Sequence, residues 1–573
     1  ADRGLSWVTI SPDLTESPGR DDVVTMGVKN SEIRFSRNDG IQAWPTIVSL
    51  AESPKRPGLI YAGTDDGNVS VTRDGGRTWD NVTSRIPGLP KGIYVSELVP
   101  SRFADGVVYA TFDGHRQNDF TTHIYASSDF GQTWRSISAN LAGEVARTLT
   151  EDTRNADVLY LGPETGLFVS LDRGGRWQRL KANLPTVRID EITLHPRDNA
   201  MILATHGRTI WILDHLEPIQ EMAAALAATA GADLFTPPAF AWYQRPARDR
   251  NYEFWGDQTF YGQNPPQAAR ISWYLKKPAS SVALKITDAA GREVREISGP
   301  VLATANKAGI NMACWDLRVQ PAPAFGPPAG GGRQGGGGPG GGSQPAVDPF
   351  GAGCGAAGGG GGGGRGGGGG NVGPFVLPGT YNVSLLVDGK PVETKPLKVI
   401  ADPEVVLTDA ERKTLFDRAV EMHELHIRAI ETARKLSPLD AQAQNVAKEI
   451  ASRADVPADV KAQFEAFRKE LAAVVPKFIT GPGAGGGQFG GVGGGGGAPT
   501  PNVITRITQA KGGLMGGMLP TAITMNAYAE AKTMTPAAIG EANAVLAQAP
   551  AVSAAVAKYN LKLDVPPSRP SLR

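Results

Sequence analysis

Cysteine is scarce in this chain: among 573 residues there are only Cys314 and Cys354. Neither belongs to a Cys-x-x-Cys pair or has a histidine at metal-ligand spacing, which excludes a zinc-finger type of site. A disulfide between them would close a loop of about 40 residues and contribute roughly 3–4 kcal/mol through loop entropy. Two possibilities stay open at this point, a disulfide or two free thiols.

Excess charge of one sign and long apolar runs are also lacking. The formal net charge is +1, whereas a nucleic-acid-binding surface needs a basic field. No run of 18 apolar residues exists, so no segment is predicted to cross a membrane. The Gly-x-Ser-x-Gly and His-Glu-x-x-His motifs are absent as well. We therefore predict no cofactor, no metal site and no nucleic-acid partner, and the catalytic residues stay unknown.

Glycine, by contrast, is abundant, with 72 residues beside 43 prolines. Most of the excess lies in two tracts, residues 321–374 and residues 481–498. Such tracts cannot bury apolar surface, so we interpret them as insertions within domains.

An eight-residue pattern, Ser/Thr-x-Asp-x-Gly-x-Thr-Trp, recurs in the first third of the chain. The copies are Thr72–Trp79, Ser127–Trp134, Ser170–Trp177 and a partial one, Asp2–Trp7. The pattern resembles the Asp-box (BNR) repeat of sialidase-like, sortilin-like and xyloglucanase-like β-propellers. The resemblance implies four-stranded blades, and the strand-like runs around the boxes repeat at 43 to 51 residues, the period of a blade.

The box residues are interpreted as structural. The aspartate can accept hydrogen bonds from its own turn, the glycine can adopt positive φ, and the tryptophan can pack between blades. This applies to Asp2, Trp7, Asp74, Gly76, Trp79, Asp129, Gly131, Trp134, Asp172, Gly174 and Trp177.

The repeat is incomplete at both sides. After Thr209–Leu213 neither a box nor a fourth strand follows, while Trp7–Ser11 is predicted to be a fourth strand without a blade before it. One interpretation is that an upstream N-terminal propeller fragment, or another subunit, completes the ring as a partner. The other is that Trp7–Ile10 closes a small four-bladed ring.

The predicted fold class is mainly β, with a partial β-propeller followed by a β-sandwich and a small α-helical bundle. Residues 1–215 are predicted to be the C-terminal blades and residues 216–267 a connecting segment. Residues 268–401, interrupted by 321–374, resemble the immunoglobulin-like domain of exported bacterial proteins. Residues 402–573, interrupted by 481–498, are predicted to be helical.

Helix signals are clearest after Thr408, which begins a capping box with Glu411. The first helix is predicted to reach Arg434, and a later one to begin at Thr535-Pro536. His423 and His426 lie three apart on the first helix; because no third ligand accompanies them, we interpret them as part of a solvated face and not as a metal pair.

The most promising site lies on loops opposite the boxes, because loops that follow the second strand of each blade share one face. These loops carry carboxylate, imidazole and guanidinium groups suited to ligand binding at the mouth of a propeller channel. The candidate residues are Asp65, Asp66, Asp113, His115, Arg116, Glu164, His206 and Arg208.

Three functions are compatible with this sequence. The leading one is an exported binding or scaffold protein for a glycan or a polypeptide, at the cell surface, outside the cell or in the periplasm, within a larger chain or assembly. The second is a polysaccharide glycoside hydrolase of the tandem-propeller type, so whether the chain is an enzyme stays undecided. The third is a sortilin-like, peptide-binding propeller.

Overall fold

The computed structural model describes residues 4–16, 19–35, 45–181, 183–241, 268–323, 354, 371–479 and 502–565. Asp2 of the partial box, most of the first glycine-rich tract and all of the second lie outside these residues. The chain divides into two compact units, Ala1–Ala228 and Thr229–Arg573, called unit 1 and unit 2 below. Among the described helices, none is both long enough and apolar enough to span a bilayer.

Four antiparallel sheets form the body of unit 1, and each corresponds to one sequence repeat. We call them blades 1 to 4; a two-stranded hairpin, β1 (Val24–Thr25) and β2 (Val28–Lys29), precedes them. Blades 1 to 3 have four strands in sequence order and blade 4 has three, so the predicted propeller-type blades are confirmed. Their strands are β3 (Ile47–Glu52), β4 (Ile60–Thr64), β5 (Val69–Thr72) and β6 (Asp80–Asn81); β7 (Tyr94–Pro100), β8 (Val108–Asp113), β9 (His123–Ser127) and β10 (Arg135–Ser136); β11 (Ala146–Glu151), β12 (Leu159–Pro163), β13 (Phe168–Ser170) and β14 (Trp177–Arg179); β15 (Ile189–His195), β16 (Ala200–Thr205) and β17 (Ile210–Leu213).

Apolar side chains hold neighbouring blades together. Tyr61, Tyr109 and Tyr160 occupy the same position in the second strand of blades 1, 2 and 3, and each is at most 3% exposed. The three blade-to-blade cores contain mostly such residues from facing strands. Burial of these faces is therefore the main force that stacks one repeat on the next.

The first strand of every blade contains a β-bulge at the same register. Each bulge leaves one residue outside the regular pairing with the second strand. A bulge turns its side chain away from the ordinary alternation and often lies next to a functional site. The bulged residues are Val48, Ser96, Arg147 and Asp190.

Blade 4 loses its fourth strand because a helix begins where the box hairpin would turn back. The N–H of Leu216 donates to the carbonyl of Asn199 at 3.0 Å, a contact that box residues make in the other blades. Helices α1 (Glu217–Gln220) and α2 (Met222–Ala227) follow at once. The predicted absence of a box here agrees with this geometry.

The predicted fourth strand at Trp7–Ser11 is not present as a strand. These residues form no sheet pairing, and Trp7 is 89% exposed. The sheet of blade 4 ends at β17 among the described residues, so Trp7–Ile10 does not close a four-bladed ring. A lone extended segment without a partner strand has no ladder to hold it.

Two sheets that share one core form the first part of unit 2. Trp273 and Trp315 are fully buried between the sheets. One sheet has the order β18 (Ala232–Leu234), β20 (Ala269–Leu275), β23 (Gly309–Trp315); the other has the order β19 (Phe240–Ala241), β25 (Lys390–Ile400), β24 (Gly379–Val387), β21 (Val282–Thr287), β22 (Glu293–Ile297).

The predicted connecting segment, residues 216–267, is not a separate element. Its first part, α1 and α2, belongs to unit 1, whereas β18 and β19 are edge strands of the sandwich in unit 2. Residues 242–267 lie outside the described part of the chain. The short strands were missed because two or three residues carry no periodicity.

Long helices form the rest of unit 2. They are α3 (Asp409–Ser452), α4 (Ala458–Val474), α5 (Val503–Leu514) and α6 (Ala522–Ala557). The predicted end at Arg434 is wrong, because α3 continues through Pro438 and buries Leu436 and Leu439 completely. Thr535 is likewise inside α6 and not at its start. A continuous buried face outweighs the cost of about 3 kcal/mol for a proline inside a helix.

Short 3-10 helices complete the described structure. They lie at Arg20–Asp22, Asn30–Glu32, Thr83–Arg85, His115–Gln117, Gly299–Leu302 and Val475–Lys477.

The first glycine-rich tract leaves and re-enters the fold through a narrow ribbon. The N–H of Val319 donates to the carbonyl of Pro374 at 3.0 Å, and that of Ala322 to Asn371 at 2.7 Å. Cys314 and Cys354 form a disulfide with their Cα atoms 4.9 Å apart. The tract is thus tied to the sandwich at its neck and at Cys354.

The predicted solvated face at His423 and His426 is wrong. Their side chains are 4% and 1% exposed and lie next to the fully buried Lys511 of α5. The Lys511 ammonium contacts Nδ1 of His426 at 3.1 Å, Nδ1 of His423 at 3.4 Å and the carbonyl of Val372 at 2.8 Å. Position on a helix does not reveal which face its neighbours will cover, and here the sandwich neck covers the histidines.

Candidate functional site

The box turns and the candidate loops lie at opposite ends of the blades. Each box turn donates a backbone hydrogen bond to the turn between the first and second strands of its own blade. The loops that follow the second strands therefore lie at the other end, which we call the loop face. The three bonds join Gly75 N to Gly58 O at 2.9 Å, Phe130 N to Gly106 O at 2.8 Å, and Arg173 N to Asp157 O at 2.9 Å.

The loop face brings together three of the predicted residues around one guanidinium from a bulge. Arg147 contacts Asp113 Oδ2 and Glu164 Oε1, each at 2.6 Å. His115 Nδ1 lies 2.6 Å from Asp113 Oδ1. Asp113 ends β8 of blade 2, Arg147 is the bulged residue of β11, and Glu164 follows β12. We call these four residues the Asp113 cluster; it joins blades 2 and 3.

Burial in the Asp113 cluster is graded from inside to outside. The Asp113 side chain is fully buried, Arg147 is 15% exposed, and Glu164 and His115 are 36% and 37% exposed. Asp113 also accepts the backbone N–H of His115 at 3.0 Å. The inner ion pair thus fixes the outer carboxylate and imidazole in place, and these can contact a ligand through charge-assisted hydrogen bonds.

A second, more exposed group lies on blade 4. Arg188 Nε contacts Asp190 Oδ1 at 2.7 Å, and its terminal nitrogen lies 2.6 Å from His206 Nδ1. Asp190 is the bulged residue of its strand, and His206 is 67% exposed. The carbonyl of Arg208 accepts the indole N–H of Trp211 at 2.9 Å, so the Arg208 backbone braces the loop that carries His206.

The other predicted residues fix loops. Asp65 accepts the N–H of Thr46 at 2.8 Å, and Asp66 accepts the N–H of Glu16 at 2.7 Å. The Arg116 guanidinium lies 4.8 Å from the ring centre of Tyr94, a cation–π contact. These three side chains shape the loop face and do not join the Asp113 cluster.

Two carboxyl groups on first strands were not among the predicted residues. Glu97 of β7 accepts the N–H of Leu149 at 2.6 Å. Burial raises the pKa of Glu97 to about 7, assisted by the charge of Glu191 and opposed by this hydrogen bond. Neighbouring protein partly desolvates the carboxyl of Glu191 on β15 and raises its pKa as well, although the residue is exposed by surface area. Both follow the bulge of their strand directly.

Arg147, Arg188, Asp190, Glu97 and Glu191 were missed because a bulge cannot be read from the sequence. Arg147 lies within the first strand Ala146–Glu151, where regular alternation would direct its side chain to one fixed face of the sheet. A comparison of the blades would have supplied a signal, since Val48, Ser96, Arg147 and Asp190 are equivalent. No group of three or more His, Cys, Asp or Glu side chains in the described residues is arranged to hold a metal ion.

The box aspartates bond their own turns. Asp74, Asp129 and Asp172 accept the N–H four residues later at 3.0, 2.8 and 2.8 Å. The glycines two positions on have φ between 83° and 94°. Trp134 and Trp177 are buried, whereas Trp79 is half-buried and donates its indole N–H to Ile10 at 2.9 Å. The backbone N–H of Thr78 lowers the pKa of Asp74 to about 2.

We expect Asp74→Ala to lower the thermal midpoint of unit 1 without changing ligand binding at the loop face. The substitution leaves the N–H and hydroxyl of Thr78 without their acceptor. Asp74→Asn, which keeps one carbonyl oxygen, should recover part of the loss. Calorimetry gives the midpoints. Weakened binding at an unchanged midpoint would instead assign a ligand role to the box.

Comparison with protein families gives one match, and it lies within unit 1. Residues 122–222 match the family model Sortilin-Vps10, described as sortilin, neurotensin receptor 3. These residues contain two of the Asp boxes. No curated protein sequence matches the chain.

Solved structures resemble parts of the chain at low identity. The GH74 enzyme of Niastella koreensis is 14% identical over 28% of this chain and 26% of its own, with a TM-score of 0.23. YCF48 bound to the D1 peptide is 15% identical over 30% and 50%, with a TM-score of 0.23. The GH74 xyloglucanase of Xanthomonas campestris is 13% identical over 44% and 41%, with a TM-score of 0.24. The chain thus spans at most half the length of each of these three structures.

Proposed function

We propose that unit 1 is a binding module of an exported protein and that it holds a polypeptide or glycan ligand on its loop face. The observation that carries the proposal is the Asp113 cluster. A largely buried ion pair between two blades supports a partly exposed carboxylate and a partly exposed imidazole. Holding charged groups rigid in this way reduces the entropy that binding would otherwise cost.

The disulfide between Cys314 and Cys354 supports export. Disulfides persist in oxidising surroundings such as the periplasm and the extracellular space. We therefore propose one of these locations, or the cell surface, for the protein.

Binding is tested with the full chain, immobilised and exposed to xyloglucan, to other polysaccharides and to an array of 15-residue peptides. We expect a ligand of one class to bind, and His115→Ala and Glu164→Gln each to weaken it about tenfold or more, the typical loss for a central contact. Arg85→Gln is the matched control, because Arg85 is an exposed arginine paired with Asp80 away from the Asp113 cluster. Equal losses in all three variants, or no binding of any probe, would refute the proposal.

Glycoside hydrolysis is the second candidate, because Glu97 has the raised pKa of a general acid. A hydrolase needs a protonated carboxyl beside a second carboxylate, and Glu191 is the neighbouring carboxyl. The hydrogen bond from Leu149 favours a structural role for Glu97. Reducing-end release from the same polysaccharides, abolished by Glu97→Gln, would support hydrolysis; binding without release supports the binding module.

A further inference from the structure

A pocket of about 330 Å³ opens at the loop-face end of blade 3. It lies between the loop that follows β12 and the segment that follows β14. Two exposed cations, Arg179 and Lys181, line it, and none of its described lining residues is acidic. The rest of the wall is mainly aliphatic and consists of Leu167, Leu180, Leu184 and Pro185.

The Arg179 guanidinium is held at the edge of this pocket. One terminal nitrogen donates to the carbonyl of Thr165 and, at 3.4 Å, to the hydroxyl of Thr186. Gly166 permits this position: a Cβ there would lie 3.2 Å from that nitrogen, and its φ is 141°. Neither Arg179 nor Lys181 forms an ion pair within the described residues. The other two guanidinium nitrogens of Arg179 are therefore placed to bind an anionic group.

The same place can be compared in blades 1 to 3, because one backbone hydrogen bond recurs directly after the fourth strand. By this alignment Arg179 corresponds to Asn81 and Ser136. The bond joins Val82 N to Val69 O at 2.9 Å, Ile137 N to Ile124 O at 2.9 Å, and Leu180 N to Leu167 O at 2.8 Å.

In blades 1 and 2 the position of Lys181 holds a hydroxyl that secures the blade itself. The hydroxyl of Thr83 accepts the N–H of Val69 at 2.7 Å, and that of Ser138 donates to the carbonyl of Thr122 at 2.7 Å. Both cations of blade 3 thus stand where the other blades have neutral residues. The blade repeat does not require these charges, so we look for their role in binding.

The absence of a box in blade 4 explains why this place is open in blade 3. In blades 1 and 2 the residue at the Leu180 position is buried against the box glycine of the next blade. A Cβ on Gly131 would lie 3.2 Å from Val82, and one on Gly174 would lie 2.8 Å from Ile137. Leu180 has no such box beside it and stays half-buried in the pocket wall.

The lining indicates the chemistry of a ligand. A carboxylate matches the two cations, and a branched aliphatic side chain matches the leucines. A peptide with Asp or Glu next to Leu, Ile or Val offers both groups. Aromatic rings supply the flat faces on which sugar rings pack, and none of the described lining residues is aromatic. The pocket therefore favours a polypeptide over a glycan.

The pocket is close to the Asp113 cluster. Glu164 of the cluster and Gly166 of the pocket are two residues apart, so their Cα atoms lie within about 7 Å of each other. One extended peptide, at about 3.4 Å per residue, is long enough to contact both within a few residues.

We propose that this pocket is a second subsite of the loop face and that it selects polypeptides with an acidic side chain next to an aliphatic one. Arg179 and Lys181 bind the carboxylate, and Leu180 and Leu184 contact the aliphatic group. The inference rests on the binding function proposed for unit 1, and it narrows the ligand to an acidic polypeptide.

The test measures binding of the full chain to 15-residue peptides that are amidated at the C-terminus, so that only side chains supply carboxylates. The peptides are made in pairs: one member has Asp or Glu next to Leu, Ile or Val, and the other has Asn or Gln instead. We expect the native protein to bind the acidic member about tenfold more tightly. Arg179→Gln should reduce this preference to about threefold, the scale of an exposed charge pair, and adding Lys181→Gln should abolish it.

Arg176→Gln is the matched control and should keep the full preference. Arg176 is an exposed arginine in the box turn, at the opposite end of the same blade. An equal loss of preference in this variant would show that the effect is not specific to the pocket.

Four outcomes separate this inference from the binding function itself. Equal affinity of the native protein for both members of each pair would overturn the inference and leave the binding function standing. The same holds if Arg179→Gln weakens both members alike, because Arg179 would then only position the loop at Thr165. Binding of a polysaccharide such as polygalacturonate, with no peptide bound, would also overturn the assignment to a polypeptide. Failure of every peptide and polysaccharide to bind would refute both proposals.

Discussion

Acidification from pH 6.5 to pH 4 should destabilise unit 2 by about 5 kcal/mol more in the native protein than in a variant that combines His423→Gln and His426→Gln. Burial, the Lys511 charge and, against them, a hydrogen bond to Gln320 bring the pKa of His423 to about 4. Burial and the charges of Lys511 and His423 lower the pKa of His426 to about 3. A difference of one pKa unit between the folded and the unfolded state corresponds to about 1.4 kcal/mol in the free energy of unfolding.

Acid destabilises unit 2 because the pKa values of both histidines are lower in the folded protein than in the unfolded chain. In the unfolded chain both histidines take up protons near pH 6.5, whereas in the folded unit they stay neutral down to about pH 4. The unfolded state therefore binds more protons, and stability that is complete above pH 6.5 is lost as the pH falls towards 4. Burial and the Arg318 charge lower the pKa of Lys511 to about 8, so stability should rise again between about pH 8 and 10.5.

Denaturant unfolding followed by circular dichroism at 222 nm measures this effect, because the long described helices all belong to unit 2. His206→Gln is the control: His206 is 67% exposed, so this variant should keep the pH dependence of the native protein. If the double variant lost as much stability as the native protein, the buried histidines would not be the cause.

The features that sequence predicted well are local ones. A box is eight residues long, and Asp129 finds its partner Thr133 four residues away, so the pattern contains its own structural explanation. The blade period follows from the same repeats. The loop face could also be predicted, because neighbouring strands of a blade run in opposite directions. Every loop between a second and a third strand therefore lies at the same end of its blade.

Features that depend on distant residues were missed or misjudged. His423 and His426 are buried because Gln320, Val372 and Lys511 approach them from other elements. Arg147 reaches Asp113 only because a bulge redirects it. Asp113, His115 and Glu164 could be named from their loop positions, but the residue that joins them could not. Each of these features depends on contacts between residues that are far apart in the sequence. Such contacts cannot be predicted from a single sequence whose fold is unknown.

Asp152→Ala should lower the free energy of local unfolding at the interface between blades 3 and 4 by about 3 kcal/mol or more. Asp152 is fully buried at the turn after β11. It accepts the N–H groups of Arg154 and Asn155 at 2.7 and 2.9 Å, the hydroxyl of Tyr160 at 2.9 Å, and the Gln220 amide at 2.9 and 3.0 Å. Removing the acceptor leaves several buried donors unsatisfied, and each costs about 1–3 kcal/mol.

Hydrogen exchange followed by mass spectrometry can locate this loss. Gln220 of α1 also bonds Asn199 in both directions, so Asp152 anchors the helix that replaces the fourth strand of blade 4. A loss of about 3 kcal/mol corresponds to exchange about 100-fold faster in residues 199–227. Ser53→Ala is the matched control, because Ser53 has the same turn position in blade 1 and accepts, among the described residues, the backbone N–H groups of Lys55 and Arg56. Unchanged exchange in α1 after Asp152→Ala would show that Leu216 and the apolar core hold the helix without the buried carboxylate.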